Sequence, residues 1–258
     1  MMKAHEFEAE MIKQYDEAQS NHLMRFFKTA PGEYGEGDCF LGVRNPEIRR
    51  LVKEYAPSMS LADVEYLTVS KWHEVRVGGF LILVYLYSKQ AARERRKRTP
   101  KRRQAEMCES GLTARDYVDA YLMMLDRGNN WDLVDLVAPK ILGNRLTDHP
   151  EERGVLGELA RMEGKLWHQR VAMVSTWTLI RSGSYVEALE LAEHFLTHRH
   201  DLIHKASGWM LREVGKRGGM PLLLQFLDAH ATAMPRTMLR YAIEQLPEPQ
   251  RQHYLHLR

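Results

Sequence analysis

Four charged residues recur at a fixed interval along the C-terminal half of the chain. They are Asp135, Arg170, Lys205 and Arg240, and each lies 35 residues after the one before. Three are cations, and a regular row of Lys and Arg matches the dense charge of a phosphate backbone. Contacts of that kind position a duplex without reading its sequence. The fourth is an acid, which neighbouring cations would keep ionised. A carboxylate repels phosphate, so Asp135 beside a backbone needs another purpose. One is to stabilise the oxocarbenium-like sugar that forms as a glycosidic bond breaks, while orienting the attacking water. Trp131 precedes Asp135 by four residues and Trp209 follows Lys205 by four, a spacing that puts both side chains on one helix face. An indole face attracts a cation, so both tryptophans suit the same positive sugar. Arg236, four before Arg240, adds another charge. Residue types alone leave an ordinary alternative for each: an ion pair with Arg170 for Asp135, core packing for the tryptophans, a solvated helix face for the cations.

The elements that must position these residues are helices. Period-two alternation of β-branched residues is almost absent. Asn45-Pro46 reads as an N-cap and first-turn pair. Ser60 with Asp63, Thr113 with Asp116, Ser184 with Glu187 and Asn129 with Asp132 have capping-box spacing. Pro150 belongs in a first turn, and Gly143, Gly183 and Gly218-Gly219 fit helix ends. A 35-residue period in an all-helical chain means stacked helix pairs. The expected fold is therefore all-α, a right-handed solenoid of HEAT-like repeats with a concave groove for DNA. It forms a single domain over residues 1–258, with N-terminal helices to about 55, repeats from about 60 to 246 and a short C-terminal tail. Trp72–Tyr87 reads as an earlier copy with Arg76 in the charged slot. The interval from Arg76 to Asp135 is 59 residues, so the period breaks there. The break holds the basic segment Arg93–Arg103, which is either a second DNA contact or a mobile charged loop.

The 258 residues carry 44% hydrophobic and 28% charged side chains, which excludes disordered and collagen-like chains. The longest apolar run, Gly79–Tyr87, is far short of the roughly 20 residues a bilayer span needs. No secretory signal is visible at the charged N-terminus. Cys39 and Cys108 form no CxxC pair and read as free thiols of a cytoplasmic protein. His194, His198, His200, Asp201 and His204 contain i,i+4 pairs, as metal ligands can. They fall around a helix connection and lack an HExxH glutamate, so they read as a surface cluster or as imidazoles facing phosphate. Neither a metal nor a cofactor is expected.

Phe40-Leu41-Gly42-Val43-Arg44-Asn45-Pro46-Glu47-Ile48-Arg49-Arg50, Trp131-Asp132-Leu133-Val134-Asp135, Trp167-His168-Gln169-Arg170 and Lys205-Ala206-Ser207-Gly208-Trp209-Met210-Leu211-Arg212-Glu213 occur in that order. As an ordered set, from about residue 20 to 245, they resemble the AlkD family of bacterial DNA alkylpurine glycosylases. The resemblance implies a HEAT-like fold holding duplex DNA, and hydrolysis of the N-glycosidic bond of cationic N3- or N7-alkylated purines without flipping the base into a pocket. It carries the catalytic aspartate onto Asp135, the sugar-contacting tryptophans onto Trp131 and Trp209, and the arginine near the lesion backbone onto Arg170. A cationic purine already leaves readily, which fits the lack of a second paired acid. Phe26 or Phe27 stands where the family commonly has a tyrosine facing DNA. Pro31–Asp38 looks like an insertion, and Asn130 replaces a tryptophan found in some members. The expected partner is duplex DNA containing alkylated purines, bound by a monomer through Phe26, Arg76, Arg170, Lys205, Arg236 and Arg240. The alternatives are a glycosylase for bulky adducts, a non-catalytic DNA-binding scaffold and a protein-binding solenoid.

Overall fold

The computed structural model describes residues 2–97 and 111–257. Residues 98–103 of the basic segment, and Cys108, lie outside them. The described residues are helices and their connections, plus one isolated β-bridge between Cys39 and Trp72. They fall into two compact units, Met1–Val137 and Ala138–Arg258.

The first unit holds α1 (Met2–Ile12), α2 (Glu17–Phe26), α3 (Asn45–Tyr55), α4 (Leu61–Leu67), α5 (His73–Lys97), α6 (Ala114–Met123) and α7 (Trp131–Asp135). The long α5 is its axis and touches α1, α3, α4, α6 and α7. Gly78 and Gly79 permit this crowding. A Cβ on Gly78 would sit 2.5 Å from the Phe7 ring, and one on Gly79 2.9 Å from the Leu67 Cβ. Two of the three capping boxes expected here form, Ser60 with Asp63 and Thr113 with Asp116. Two other starts differ. Asn45 is already the first helical residue, and Arg44 holds the cap position without a side-chain bond. Asn130, not Asn129, caps α7, its Oδ1 accepting the Trp131 N–H at 2.9 Å.

The second unit holds α8 (Asn144–Asp148), α9 (Gly154–Ala160), α10 (Leu166–Arg181), α11 (Val186–His194), α12 (Asp201–Val214), α13 (Met220–His230), α14 (Arg236–Ala242) and α15 (Glu248–His256). Helix α12 packs against both α10 and α14, forming one layer. Helices α9 and α11 touch each other and cover α10, while α11 and α13 cover α12, forming the other. This is the paired-helix stacking that the 35-residue period implies. The period is literal at the helix starts: α7, α10, α12 and α14 begin at residues 131, 166, 201 and 236. Helix α10 is buried around most of its circumference, as a helix covered from several sides must be.

The glycines separate two tasks. Gly183 (φ 86°) and Gly218 (φ 99°) adopt left-handed conformations that end α10 and the extension of α12, as expected of helix ends. Gly143 does not end a helix. A wide helical turn over Pro139–Gly143 continues straight into α8. There the missing side chain admits the Ser175 carbonyl, which would lie 2.5 Å from a Cβ. Gly208 does the same between α12 and α14, where a Cβ would stand 2.5 Å from the Met238 oxygen and 2.6 Å from the Tyr241 Cβ. Gly208→Ala is therefore expected to cost about 1–3 kcal/mol through overpacking, seen as a lower Tm in thermal unfolding. Gly154→Ala, whose Cβ would meet nothing within 4 Å, should leave Tm unchanged or raise it slightly.

Candidate functional site

The first unit brings Trp131, Asp135 and Phe26 together around α7. That helix has five residues, too few to hold its own geometry in water. Its apolar residues Leu133 and Val134 are buried, which turns Trp131 and Asp135 partly outward, both half-buried. Trp131 ends an aromatic column. Its ring stacks on Phe27 with centroids 5.3 Å apart, and Phe27 stacks on Phe40 at 5.0 Å, both at 19°. Phe26 stands edge-on to Trp131 at 6.1 Å and is 56% exposed. At the other end of α7, the charge of Asp135 acts on Tyr121. Burial first, and that charge second, push the phenol far above its ordinary range, so a neutral hydroxyl lies near the carboxylate.

Beneath the column lies a buried charge cluster. The His73 ring stacks on Phe40 at 4.4 Å and tilts against Phe27 at 5.1 Å. Its Nδ1 is 2.7 Å from Asp38 Oδ2 and its Nε2 is 2.9 Å from Asp132 Oδ2. Burial alone would lower the imidazole pKa. Asp132 and Asp38 outweigh it and raise the pKa to about 9. Burial likewise opposes the charge of Asp38, but His73 and Arg76 hold its carboxyl below the usual range. Next along α5, Glu74 accepts the N–H groups of Leu41, Gly42 and Val43 at 2.9, 2.8 and 3.2 Å. Burial still pushes its carboxyl up.

Arg76 belongs to this cluster, which corrects its expected role as a DNA contact. Its side chain is 8% exposed and bonded through Nη2 to Asp38 at 2.5 Å. Nη2 also donates to Asn129 Oδ1 at 3.0 Å, and Nη1 to the Ser70 carbonyl at 2.9 Å. A guanidinium consumed this way offers nothing to phosphate. Asn129 is held by Arg76 and so does not pair with Asp132 in a capping box.

In the second unit Arg170, Lys205 and Arg240 are the fifth residues of α10, α12 and α14, but their surroundings differ. Arg170 is 5% exposed and donates to the Leu202 carbonyl at 2.5 Å. Lys205 is half-buried and pairs with Asp201 at 2.8 Å. Arg240 is exposed. Arg236 is exposed and donates to the Leu255 carbonyl at 3.1 Å. Trp209, one turn after Lys205, is half-buried.

Residues 7–246 match the profile of the DNA alkylation repair enzyme family. The chain belongs to this family. In fold it is similar to a solved structure described as a predicted DNA alkylation repair enzyme from Enterococcus faecalis. The two share 16% sequence identity with a TM-score of 0.68, over 91% of this chain and 98% of that one. No curated protein matches the sequence.

In this alkylation repair protein, the residues that sequence reasoning missed are His73, Asp38 and Asp132. Asp132 lies inside the Trp131–Asp135 motif, and His73 precedes the Glu74 and Arg76 of the supposed early repeat, so both were within reach. Asp38 was not, because it sits at the end of the stretch read as an insertion. The His194–His204 cluster turns inward on itself. His198 Nδ1 accepts the His200 N–H and its Nε2 faces Gln169 Oε1 at 3.0 Å, while His200 Nδ1 accepts the Leu202 N–H and caps α12. Among the described residues, His149, Glu151 and Glu152 lie close enough together to share a cation. Arg145 already holds Glu152 at 2.8 and 2.5 Å. No helix among the described residues is long and apolar enough to cross a membrane.

The unequal burial of the three cations is testable. Arg170→Ala removes a charged donor from a buried carbonyl and is expected to cost about 1.5–3 kcal/mol of stability. Arg240→Ala should change stability by less than about 0.5 kcal/mol, as exposed substitutions do. Denaturant unfolding of both variants checks this.

Proposed function

We propose that this family member is a DNA glycosylase that hydrolyses the N-glycosidic bond of cationic N3- or N7-alkylated purines in duplex DNA. The observation that carries this reading is the pairing of a half-buried indole and a half-buried carboxylate at the two ends of α7. In the proposed reaction the bond from the anomeric carbon to the purine breaks, and its electron pair neutralises the purine cation. The alkylated base leaves neutral, so no general acid is required. Positive charge moves to the sugar, where Asp135 stabilises it and orients a water. The water oxygen bonds to the anomeric carbon, and Asp135 accepts the proton released. Trp131 presents an indole face to the developing cation, and Trp209 presents a second to the DNA. None of these steps needs the base to enter a pocket, in contrast to most base-processing enzymes.

The backbone contacts follow from exposure. Arg240 is exposed to phosphate, and Arg236 can reach it by giving up its bond to the Leu255 carbonyl. The Lys205–Asp201 pair is partly exposed and of i,i+4 type, worth about 0.3–0.5 kcal/mol, so this pair does little to keep Lys205 from a phosphate. Arg170, buried under the first turn of α12, supports the row from below. Phe26 offers an exposed ring beside Trp131 for contact with the duplex.

Incubation with methylated duplex DNA, followed by chromatography, tests the activity. The expected result is free 7-methylguanine or 3-methyladenine. Binding that weakens with salt but releases no base from methylated or bulky-adduct DNA would instead favour a DNA-binding scaffold. Replacing both Arg236 and Arg240 by Ala should reduce the slope of log affinity against log salt by about 2.

A further inference from the structure

Helix α7 carries both residues assigned to the sugar, yet it is held mainly from outside. Asn130 caps its first N–H, Phe27 supports Trp131, and Asp132 Oδ1 accepts the Leu133 N–H at 2.9 Å. The other oxygen of Asp132 reaches His73 on α5. Both ring nitrogens of His73 face carboxylate oxygens, at 2.7 and 2.9 Å. Only the imidazolium has two N–H donors. A neutral ring would turn a lone pair toward one of the carboxylates, and the side chain is 2% exposed, so water cannot intervene.

We propose that His73 is a positioning residue: as an imidazolium it ties Asp132 to the loop residue Asp38, and so sets how α7 presents Trp131 and Asp135. The proposal rests on the reading of those two residues as the ones that act on the sugar. The charged groups around the ring are Asp38 from the loop before α3, Asp132 from α7, and Arg76 and Glu74 from α5 itself. Arg76 is engaged on the far oxygen of Asp38, Oδ1, and Glu74 on the backbone of Leu41–Val43. Phe27 and Phe40 cover the ring faces without charge. The two acids that matter therefore bind through opposite edges of one ring. Deprotonation cuts one of those two links.

The sign follows directly. The tie is present while His73 keeps its proton and is lost as pH rises through about 9. The test uses the intact protein between pH 6.5 and 10 with two readouts. The first is the single-turnover rate of base release from methylated duplex. The second is the emission of Trp131 without DNA, isolated as the difference between wild type and Trp131→Phe. Both should change together near pH 9, the rate by at least tenfold, with helix content by circular dichroism unchanged. Asp38→Asn removes an anion beside the ring and should move both transitions to lower pH. A limb that belonged to the substrate would stay where it was. If Asp38→Asn does not fold, His73→Gln serves, and it should abolish the alkaline limb. A transition unmoved by these variants, or Trp131 emission that is flat across the range, overturns the proposal. If wild type releases no base at all, the glycosylase reading fails, and the emission titration alone decides the role of His73.

Discussion

The first unit depends on a charge bridge that is largely buried: the His73 and Asp38 side chains are 2% and 0% exposed and only Asp132, at 16%, reaches solvent. His73 sits between Asp38 and Asp132, which come from different parts of the chain, and Arg76, three residues on along α5, balances the far side of Asp38. Removing any one would leave a buried charge uncompensated, which costs far more than an exposed pair contributes. The bridge therefore fixes relations that weaker contacts would leave soft. It fastens the loop before α3 to the start of α5, and the start of α5 to α7. The rings of Phe40 and Phe27 lie against His73, and Trp131 stacks on Phe27. A helix of five residues can hold Trp131 and Asp135 in fixed places only because a long helix and a buried ion cluster support it.

The second unit works by close approach instead. Gly143 and Gly208 bring backbones to within distances that no side chain would allow. Equivalent positions in this array share geometry but not environment. Arg170 is buried beneath the first turn of α12 and becomes part of the packing. Arg240, on the last helix of the row, is exposed. Position in a stack thus decides whether a cation is structural or available to a ligand.

The helical class and the 35-residue period were legible because charged residues recur in register within helical segments. The placement of Trp131 and Asp135 on one short helix was legible from their spacing. Arg76 was misread because its slot in a repeat says nothing of depth, and burial turned a presumed phosphate contact into the partner of Asp38. Gly143 was misread because a glycine that admits a neighbouring carbonyl looks, in sequence, like one that ends a helix. The His73 bridge was illegible for a third reason. Its two carboxylates lie 35 and 59 residues away, and no local pattern connects them.

Family membership places the protein in DNA alkylation repair, and the chemistry proposed for it turns on one carboxylate. Asp135 is asked to stabilise a charge that exists only as the glycosidic bond breaks, so its loss should affect the reaction and spare binding. The most direct measurement is the single-turnover release of 7-methylguanine from a methylated duplex, with enzyme in excess, for wild type and Asp135→Asn. The account predicts a rate at least 100-fold lower for the variant, in line with removal of a transition-state stabiliser costing about 10²–10³, at equal duplex affinity. Release at the wild-type rate would contradict it.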